Sequence, residues 1–346
     1  MNSRSRRHLS TLAVLGASAF TLAGCSGSSA DAETSGDSAD GTTTLTIAEP
    51  VHGVGYLPLY AAQDSGFFDD AGLEVEVTTL TGGGHVNATL AGEVFGFVGG
   101  PESGAVANVR GADLVTIANV VNRGNVYFVA PQGEEPEAGE DLAEYFTGKT
   151  IVGGRYGGTP NAILRHILLQ EGVDPDTDTD LVEVEDSSAI PSTMEQGAAD
   201  IAVVAEPQLG LGIQKGLWGE PFLNPLELLG PYAYSSIVIP RETGEKDPEL
   251  VAEFVDALAQ GQELIENDPD YAFDLASAEF ATMEPDVLRQ TLDRAYADHL
   301  WEGTCLAPDA VEVALEVARS GQILDDAAAP QSYETTATDE FLSSVC

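Results

Sequence analysis

The chain has 346 residues, of which 43% are hydrophobic, so it can bury one or two cores and wholesale disorder is excluded. Fourteen Lys and Arg residues face 57 Asp and Glu residues, which gives a formal net charge of −43 at pH 7. So few cations disfavour nucleic acid as a partner and disfavour electrostatic attraction to anionic lipid. The length is typical of two domains of about 150 residues each.

The first 25 residues have the features of an export signal. Three arginines precede an apolar stretch over residues 9–22, which is too short to span a bilayer as a helix. The sequence LAGC follows and ends at Cys25. It resembles the lipobox of bacterial lipoproteins and predicts that Cys25 carries a diacylglyceryl group. The alternative interpretation is a plain signal peptide in which the cysteine occurs by chance. The choice between the general and the twin-arginine export routes stays open, because SRRHL at residues 5–9 resembles the latter signal.

Residues 26–43 are rich in Ser, Gly, Asp, Ala and Thr and lack hydrophobic periodicity, which predicts a flexible tether. A lipid followed by a tether would hold a folded body close to the membrane. We therefore expect an exported protein that is anchored to the outer face of the cytoplasmic membrane.

From residue 44 onward, strand patterns alternate with helical patterns, which predicts an α/β fold with parallel sheets. A unit of strand, glycine-rich turn, helix, strand, short helix and strand covers residues 44–121 and recurs over 126–216. Residues from 248 onward show apolar side chains at helical spacing. Two such α/β lobes would direct the carboxyl ends of their strands toward a cleft between them.

Several segments carry a specific family resemblance. They are LPLYAAQDSGFF at 57–68, AGLEV at 71–75, LAGEV at 90–94, GKTIVG at 148–153 and EQGAADIAVVAEP at 195–207. In this order and spacing, they resemble the solute-binding proteins of ABC importers for taurine, alkanesulfonates, nitrate and thiamine-type pyrimidines. The resemblance covers about residues 44–325.

The resemblance implies a type II periplasmic-binding-protein-like fold, in which two Rossmann-like lobes are joined by two crossings. We place the crossings near residues 122–125 and 232–235. Lobe I would then comprise 44–122 plus 236–346, and lobe II would comprise 123–235. The resemblance also implies a monomeric receptor that closes on a small molecule and docks on an ABC permease and its ATPase.

Four glycine-rich turns precede helices and would present free N–H groups at the cleft: residues 51–55, 82–85, 99–103 and 153–159. Glycines also simply permit tight turns, so the role of any single turn stays open. The predicted ligand contacts are Glu49, His52, Tyr56, Gly84, His85, Glu102, Ser103, Arg123, Arg155, Gly158, Thr159 and Glu206.

Charged residues among these contacts predict the chemistry of the ligand. Arg155 and Arg123 could pair with a carboxylate, sulfonate or phosphate, or could form ordinary salt bridges in so acidic a chain. Glu102 and Glu206 could accept hydrogen bonds from an N–H group, although a helix-capping role is open for Glu102. We expect a small polar organic ligand: a sulfonate, an aromatic acid or a pyrimidine-like compound. Tyrosines that favour a planar ring are Tyr56, Tyr156, Tyr232 and Tyr234.

No nucleophile motif or P-loop occurs in the sequence, so we expect no catalytic residues, no cofactor and no metal site. Enzymes of the same fold, similar to pyrimidine synthases or menaquinone-pathway enzymes, remain the alternative class. A sensor lobe would need a transmembrane helix after residue 25, and the sequence contains none.

The two remaining cysteines, Cys305 and Cys346, would share an oxidising compartment after export. We predict a disulfide that pins the acidic tail (325–346), which looks too weakly apolar to dock firmly alone. Two free thiols are the alternative.

Overall fold

The computed structural model describes residues 36–37 and 42–346. The predicted signal segment 1–25, with the lipidation site Cys25, lies outside the described residues, as does most of the predicted tether. Within that tether, Gly36–Asp37 form a two-residue strand that pairs antiparallel with Thr43 and Thr44.

The strands of the described residues alternate with helices along the chain. They are β1 (Gly36–Asp37), β2 (Thr43–Glu49), β3 (Leu73–Thr79), β4 (Gly96–Gly99), β5 (Leu114–Val121), β6 (Tyr127–Val129), β7 (Thr150–Gly154), β8 (Asp180–Val184), β9 (Ile201–Val204) and β10 (Ser235–Pro240).

Two sheets are formed by the described strands. In the first sheet the order is β1-β2-β4-β10-β5, with β3 pairing with β2, and in the second it is β6-β9-β7-β8. The prediction of purely parallel sheets is wrong. β10 runs antiparallel to both β4 and β5, and β6 runs antiparallel to β9. The reason is that the chain leaves the first sheet after β5 and returns as β10 from the opposite end.

Helices cover the sheets and then form a C-terminal block. They are α1 (Leu57–Asp64), α2 (Phe67–Asp70), α3 (Gly84–Leu90), α4 (Pro101–Asn108), α5 (Leu142–Phe146), α6 (Thr159–Gln170), α7 (Ile190–Glu195), α8 (Gln208–Lys215), α9 (Leu226–Leu229), α10 (Arg241–Lys246), α11 (Pro248–Asn267), α12 (Pro269–Glu279), α13 (Pro285–Ala297), α14 (Pro308–Ser320) and α15 (Tyr333–Thr336). Short 3₁₀ turns occur at Val54–Tyr56 and Ser187–Ala189.

The C-terminal block, which comprises α11 to α14, packs against helices that cover each of the two sheets. α11 lies on α1 so closely that a Cβ atom at Gly261 would sit 2.3 Å from the carbonyl oxygen of Pro58. α13 packs on α8, and α14 packs on both α4 and α6. The block therefore holds elements of the two α/β halves together.

The acidic tail docks through its own apolar side chains, contrary to the sequence interpretation. Phe341 and Leu342 are buried in the main core, and the Phe341 ring fills the space above Gly244. Ala337 bridges to Thr116 on the edge strand β5. A disulfide joins Cys305 to Cys346 with a Cα–Cα distance of 5.9 Å.

Candidate functional site

A cavity of about 100 Å³ lies between the two sheets. Its volume is smaller than the ~150 Å³ of an engineered protein cavity that binds benzene, so any enclosed ligand part is small. Residues from both halves of the molecule form its wall, and all four predicted glycine-rich turns contribute. The wall contains residues from segments 50–56, 82–85, 99–103, 154–160, 185–190 and 203–208, together with Asn125, Tyr234 and Ser235.

The structure brings together seven of the twelve predicted ligand contacts on this wall: Tyr56, His85, Ser103, Arg155, Gly158, Thr159 and Glu206. The other five do not line the cavity: Glu49, His52, Gly84, Glu102 and Arg123.

Arg155 follows β7 and lies on the cavity wall without an ion pair to any carboxylate in residues 42–346. Its guanidinium donates to the neighbouring carbonyl of Tyr156 at 3.1 Å and packs against the backbone of Gly83. Burial lowers the pKa of Arg155, while the charge of Glu185 acts in the opposite direction. A partly buried cation without a direct ion pair is costly, so this position favours an anionic ligand group.

Two of the hydrogen bonds that link the two halves lie beside the cavity. The Gly82 amide donates to the carbonyl of Glu185 at 3.3 Å, and the Thr159 hydroxyl donates to Glu102 Oε1. Thr159 begins α6 in the second half, whereas Glu102 lies in the first turn of α4. The described residues therefore form a closed cleft.

Glu102 is buried directly beside this wall, two residues into α4. Oε1 accepts from Thr159, but Oε2 has no hydrogen-bond partner within the described chain. Burial raises the pKa of Glu102 to about 7, and the Thr159 hydrogen bond lowers it only in part. Near neutral pH, this side chain therefore exists as a mixture of carboxylic acid and carboxylate.

Glu206 also follows a strand at the cleft and is also buried, yet it has a cationic partner. Its Oε1 accepts from Arg294 on α13 at 2.7 Å, and its Oε2 accepts from the Gly210 amide at 2.9 Å. Burial raises the pKa of Glu206, and the charge of Arg294 opposes that rise. The carboxylate is thus engaged by the protein itself, so its predicted role as a free ligand acceptor does not fit this geometry.

His85 lines the cavity as a neutral imidazole. Its Nδ1 lies 3.2 Å from the carbonyl oxygen of Leu80. Because a carbonyl only accepts, Nδ1 carries the proton and Nε2 keeps its lone pair. Burial and the charge of Arg155 lower the pKa of His85 to about 4. At pH 7 the imidazole can therefore accept a hydrogen bond but adds no charge.

Comparison with known proteins agrees with this geometry. The family described as "NMT1/THI5 like" matches residues 54–272, well over half of the chain. The chain belongs to this family. One relative, the "Putative binding protein YtlA" of Bacillus subtilis (strain 168), is 28% identical over 264 residues, which are 74% of this chain and 77% of that protein.

Two solved structures show the fold of this NMT1/THI5-like protein. The alkanesulfonate-binding protein SsuA of Xanthomonas axonopodis pv. citri, solved with MOPS, gives a TM-score of 0.67 at 16% identity, covering 82% of this chain and 94% of SsuA. The nitrate-binding protein NrtA of Synechocystis PCC 6803 gives a TM-score of 0.69 at 14% identity, covering 88% of each chain. The predicted two-lobed periplasmic-binding-protein fold is thereby confirmed.

Glu49, which is buried, and the partly exposed His52 of the family member form a hydrogen-bonded network outside the cavity lining. Glu49 accepts from the Tyr60 hydroxyl at 2.5 Å and lies 3.2 Å from His52 Nδ1. The His52 ring packs between Tyr60 and Phe280, each with centroids 4.8 Å apart, and its Nε2 is 3.3 Å from Glu279. The Glu49 hydrogen bond raises the pKa of His52. These two residues connect the end of β2 to the end of α12, which is a structural role.

Arg123 lies at the first crossing and points away from the cavity. It forms an ion pair with Glu302 and donates to the carbonyl of Asn122 at 2.9 Å. The salt-bridge alternative raised by the sequence therefore describes Arg123. Gly84 lies between the wall residues Gly82 and His85 in the sequence and begins α3. Its amide donates a hydrogen bond to the carbonyl oxygen of Thr81.

Sequence reasoning missed five polar residues of the cavity wall, Asn125, Glu185, Ser187, Gln208 and Ser235, and the arginine that pairs with Glu206. Asn125 lines the cavity, and its Oδ1 is buried without a partner in the described chain; only its position at the crossing marked it. Gln208, at the start of α8, also lines the cavity. Arg294 lacked any local signal, because it reaches Glu206 from 88 residues away.

None of the helices in residues 42–346 is long and apolar enough to cross a membrane. No cluster of His, Cys, Asp and Glu within the same range has the arrangement of a metal site.

Proposed function

We propose that this protein is the extracytoplasmic receptor of an ABC importer and captures a small polar organic ligand by lobe closure. The observation that carries the proposal is the closed cavity, formed by both lobes, with Arg155 on its wall outside any ion pair of the described chain. The named relatives, a binding protein and the sulfonate- and nitrate-binding neighbours, support the same role.

In this proposal, the ligand binds tightly because closure brings both lobes into contact with it. Each lobe alone presents only half of the wall, and contacts such as Thr159 to Glu102 form only when the lobes meet. A ligand that touches both halves stabilises the closed form relative to the open form. The lobes would be residues 44–122 plus 236–346 and residues 123–235, with hinges at the two crossings.

The polar groups of the cavity support a ligand that carries an anion and a hydrogen-bond donor. Arg155 faces the anion, while Asn125 Oδ1 and the neutral His85 act as acceptors. Tyr56 and Tyr234 provide aromatic surface. A sulfonate, an aromatic acid or a pyrimidine-like compound meets these requirements. The proposal involves no chemical conversion of the ligand.

The closed receptor would then dock as a monomer on a permease that is coupled to an ATPase. We propose that Cys25 carries the lipid that holds the receptor at the outer face of the cytoplasmic membrane. Cys25→Ala should move the protein from the membrane fraction to the medium or periplasm. An unchanged distribution would contradict the anchor.

The function is tested by a metabolite panel read out as a shift in melting temperature. Ligand at 100 times its Kd should stabilise the protein by about 2.7 kcal/mol. Arg155→Gln should abolish that shift, whereas Arg289→Gln should preserve it, because Arg289 packs over Phe273 away from the cavity. Conversion of the bound compound into a product would favour the enzyme alternative and contradict the receptor.

A further inference from the structure

A second, open groove of about 590 Å³ adjoins the cavity. The groove and the cavity share Gly82, Ser103 and Arg155 in their walls, so the two spaces are adjacent. Arg155 stands at the boundary between them. Arg110, which follows α4, lines only the groove.

This groove differs from the rest of the described surface in how its arginines are paired. Residues 42–346 contain eight arginines, and five of them form ion pairs with carboxylates: Arg123, Arg165, Arg241, Arg294 and Arg319. Arg289 lies over the ring of Phe273 at 4.1 Å. Within this range, Arg110 and Arg155 alone form neither kind of direct contact, although the charge of Glu185 acts on Arg155, and both arginines line the groove.

This pairing pattern is informative because carboxylates are so abundant. With 57 Asp and Glu against 14 Lys and Arg, an arginine readily finds a carboxylate on the surface of this chain. Two unpaired guanidinium groups in one groove therefore create a local positive region on an otherwise negative molecule. Paired guanidinium forks match the geometry and the charge of a phosphate group.

We propose that the groove is an anion subsite that binds the phosphate or phosphonate end of an organic ligand. The small uncharged end of that ligand enters the cavity, where Tyr56, Tyr234, Ile190 and Val203 form an uncharged part of the wall. This orientation rests on the proposed function, whereas the anion subsite itself does not. A dianion gains from both arginines, so phosphate-type groups are preferred over singly charged sulfonates.

Inorganic phosphate is the probe for the subsite, with binding to the full chain measured by titration calorimetry in 0.15 M salt. Phosphate should bind the unaltered protein, and Arg110→Gln and Arg155→Gln should each weaken it at least fivefold. Arg289→Gln is the matched control and should stay within twofold. Circular dichroism and melting curves check that each variant is folded; Arg110 is exposed, so its variant should melt as the unaltered chain does.

Two results overturn the subsite. One is that phosphate does not bind to the unaltered protein. The other is that Arg110→Gln has the same affinity for phosphate as the control Arg289→Gln. Ethyl phosphate tests the orientation. Burial of its two carbons should tighten binding roughly tenfold relative to phosphate, at about 0.8 kcal/mol per carbon. Equal affinities would contradict the orientation. A failed metabolite panel with intact phosphate binding would instead contradict the receptor function alone.

Discussion

The two sides of the cleft each bury a glutamate a few residues after a strand, but only one glutamate meets a cation. Glu206 in the second lobe is held by Arg294, and Glu102 in the first lobe accepts from Thr159 and has one oxygen without a partner in the described chain. The two side chains are almost equally inaccessible, at 4% and 2% exposed.

This difference separates a charged contact between the lobes from one that depends on a proton. Glu206 joins the second lobe to α13, which belongs to the first lobe, through a charged pair. Glu102 meets the other lobe only through Thr159, and its proton occupancy changes near neutral pH. Burial alone therefore does not decide what a carboxylate does; its partner does.

The largest expected effect follows from removing the cation on the Glu206 side. Arg294→Gln should lower the free energy of unfolding by about 3–5 kcal/mol, because it leaves a buried carboxylate without its counterion. Denaturant unfolding at pH 7 measures the loss. The double variant Glu206→Gln, Arg294→Gln should recover a large part of it. A single variant as stable as the unaltered chain would remove the basis of the comparison.

The disulfide provides a change that is remote from both carboxylates. Cys346→Ser opens a loop between residues 41 positions apart and should lower the free energy of unfolding by about 2–4 kcal/mol. Mass analysis of the exported protein without reductant should show two hydrogens fewer than the thiol form. Two alkylatable thiols would refute the bond. If Cys346→Ser also changed the pH dependence of stability that we assign to Glu102, the two regions would not be independent.

Glu102 should make stability depend on pH. Its pKa rises from 4.5 to about 7 on folding, so folding favours the protonated form. The free energy of unfolding should therefore fall as pH rises between about 4.5 and 7, by about 3 kcal/mol in total. Glu102→Gln should lack this part of the slope. Melting curves of both proteins from pH 4 to 8 test it, and parallel curves would count against the raised pKa.

The smallest effect concerns the hydrogen bond across the cleft. Thr159→Val removes the donor to Glu102 and should weaken closure by about 1 kcal/mol, which lowers ligand affinity roughly fivefold. Thr159→Ser keeps the hydroxyl and serves as the matched control. Equal affinities for the Val and Ser variants would show that this contact does not stabilise the closed form.

Local patterns predicted much of the fold. Alternating apolar residues and glycine-rich turns predicted the α/β unit over residues 44–121 and its repeat over 126–216. The described strands from β3 to β9 fall within these two ranges, and β2 begins just before the first of them, at Thr43. The antiparallel insertion of β10 was not predicted, because strand direction depends on where the chain returns. The docking of the tail was missed because Phe341 and Leu342 form a short apolar pair within an acidic segment.

The site was predicted less completely, since its chemistry depends on distant partners. Arg155 and Thr159 follow a strand and were found by that position alone. The sequence could not distinguish Glu102 from Glu206, nor Arg123 from Arg155, because each distinction rests on whether a residue such as Arg294 or Glu302 lies nearby. Such contacts span tens to well over a hundred residues along the chain.

The central claim is that the cleft binds a small solute at Arg155 and releases it unchanged. The direct test is calorimetric titration of a ligand from the metabolite panel into the unaltered protein and into Arg155→Gln, followed by mass analysis of the recovered ligand. The account predicts stoichiometric binding to the unaltered chain, at least a tenfold loss of affinity in the variant, and a ligand of unchanged mass. Equal affinity in both proteins, or a chemically altered ligand, would contradict it.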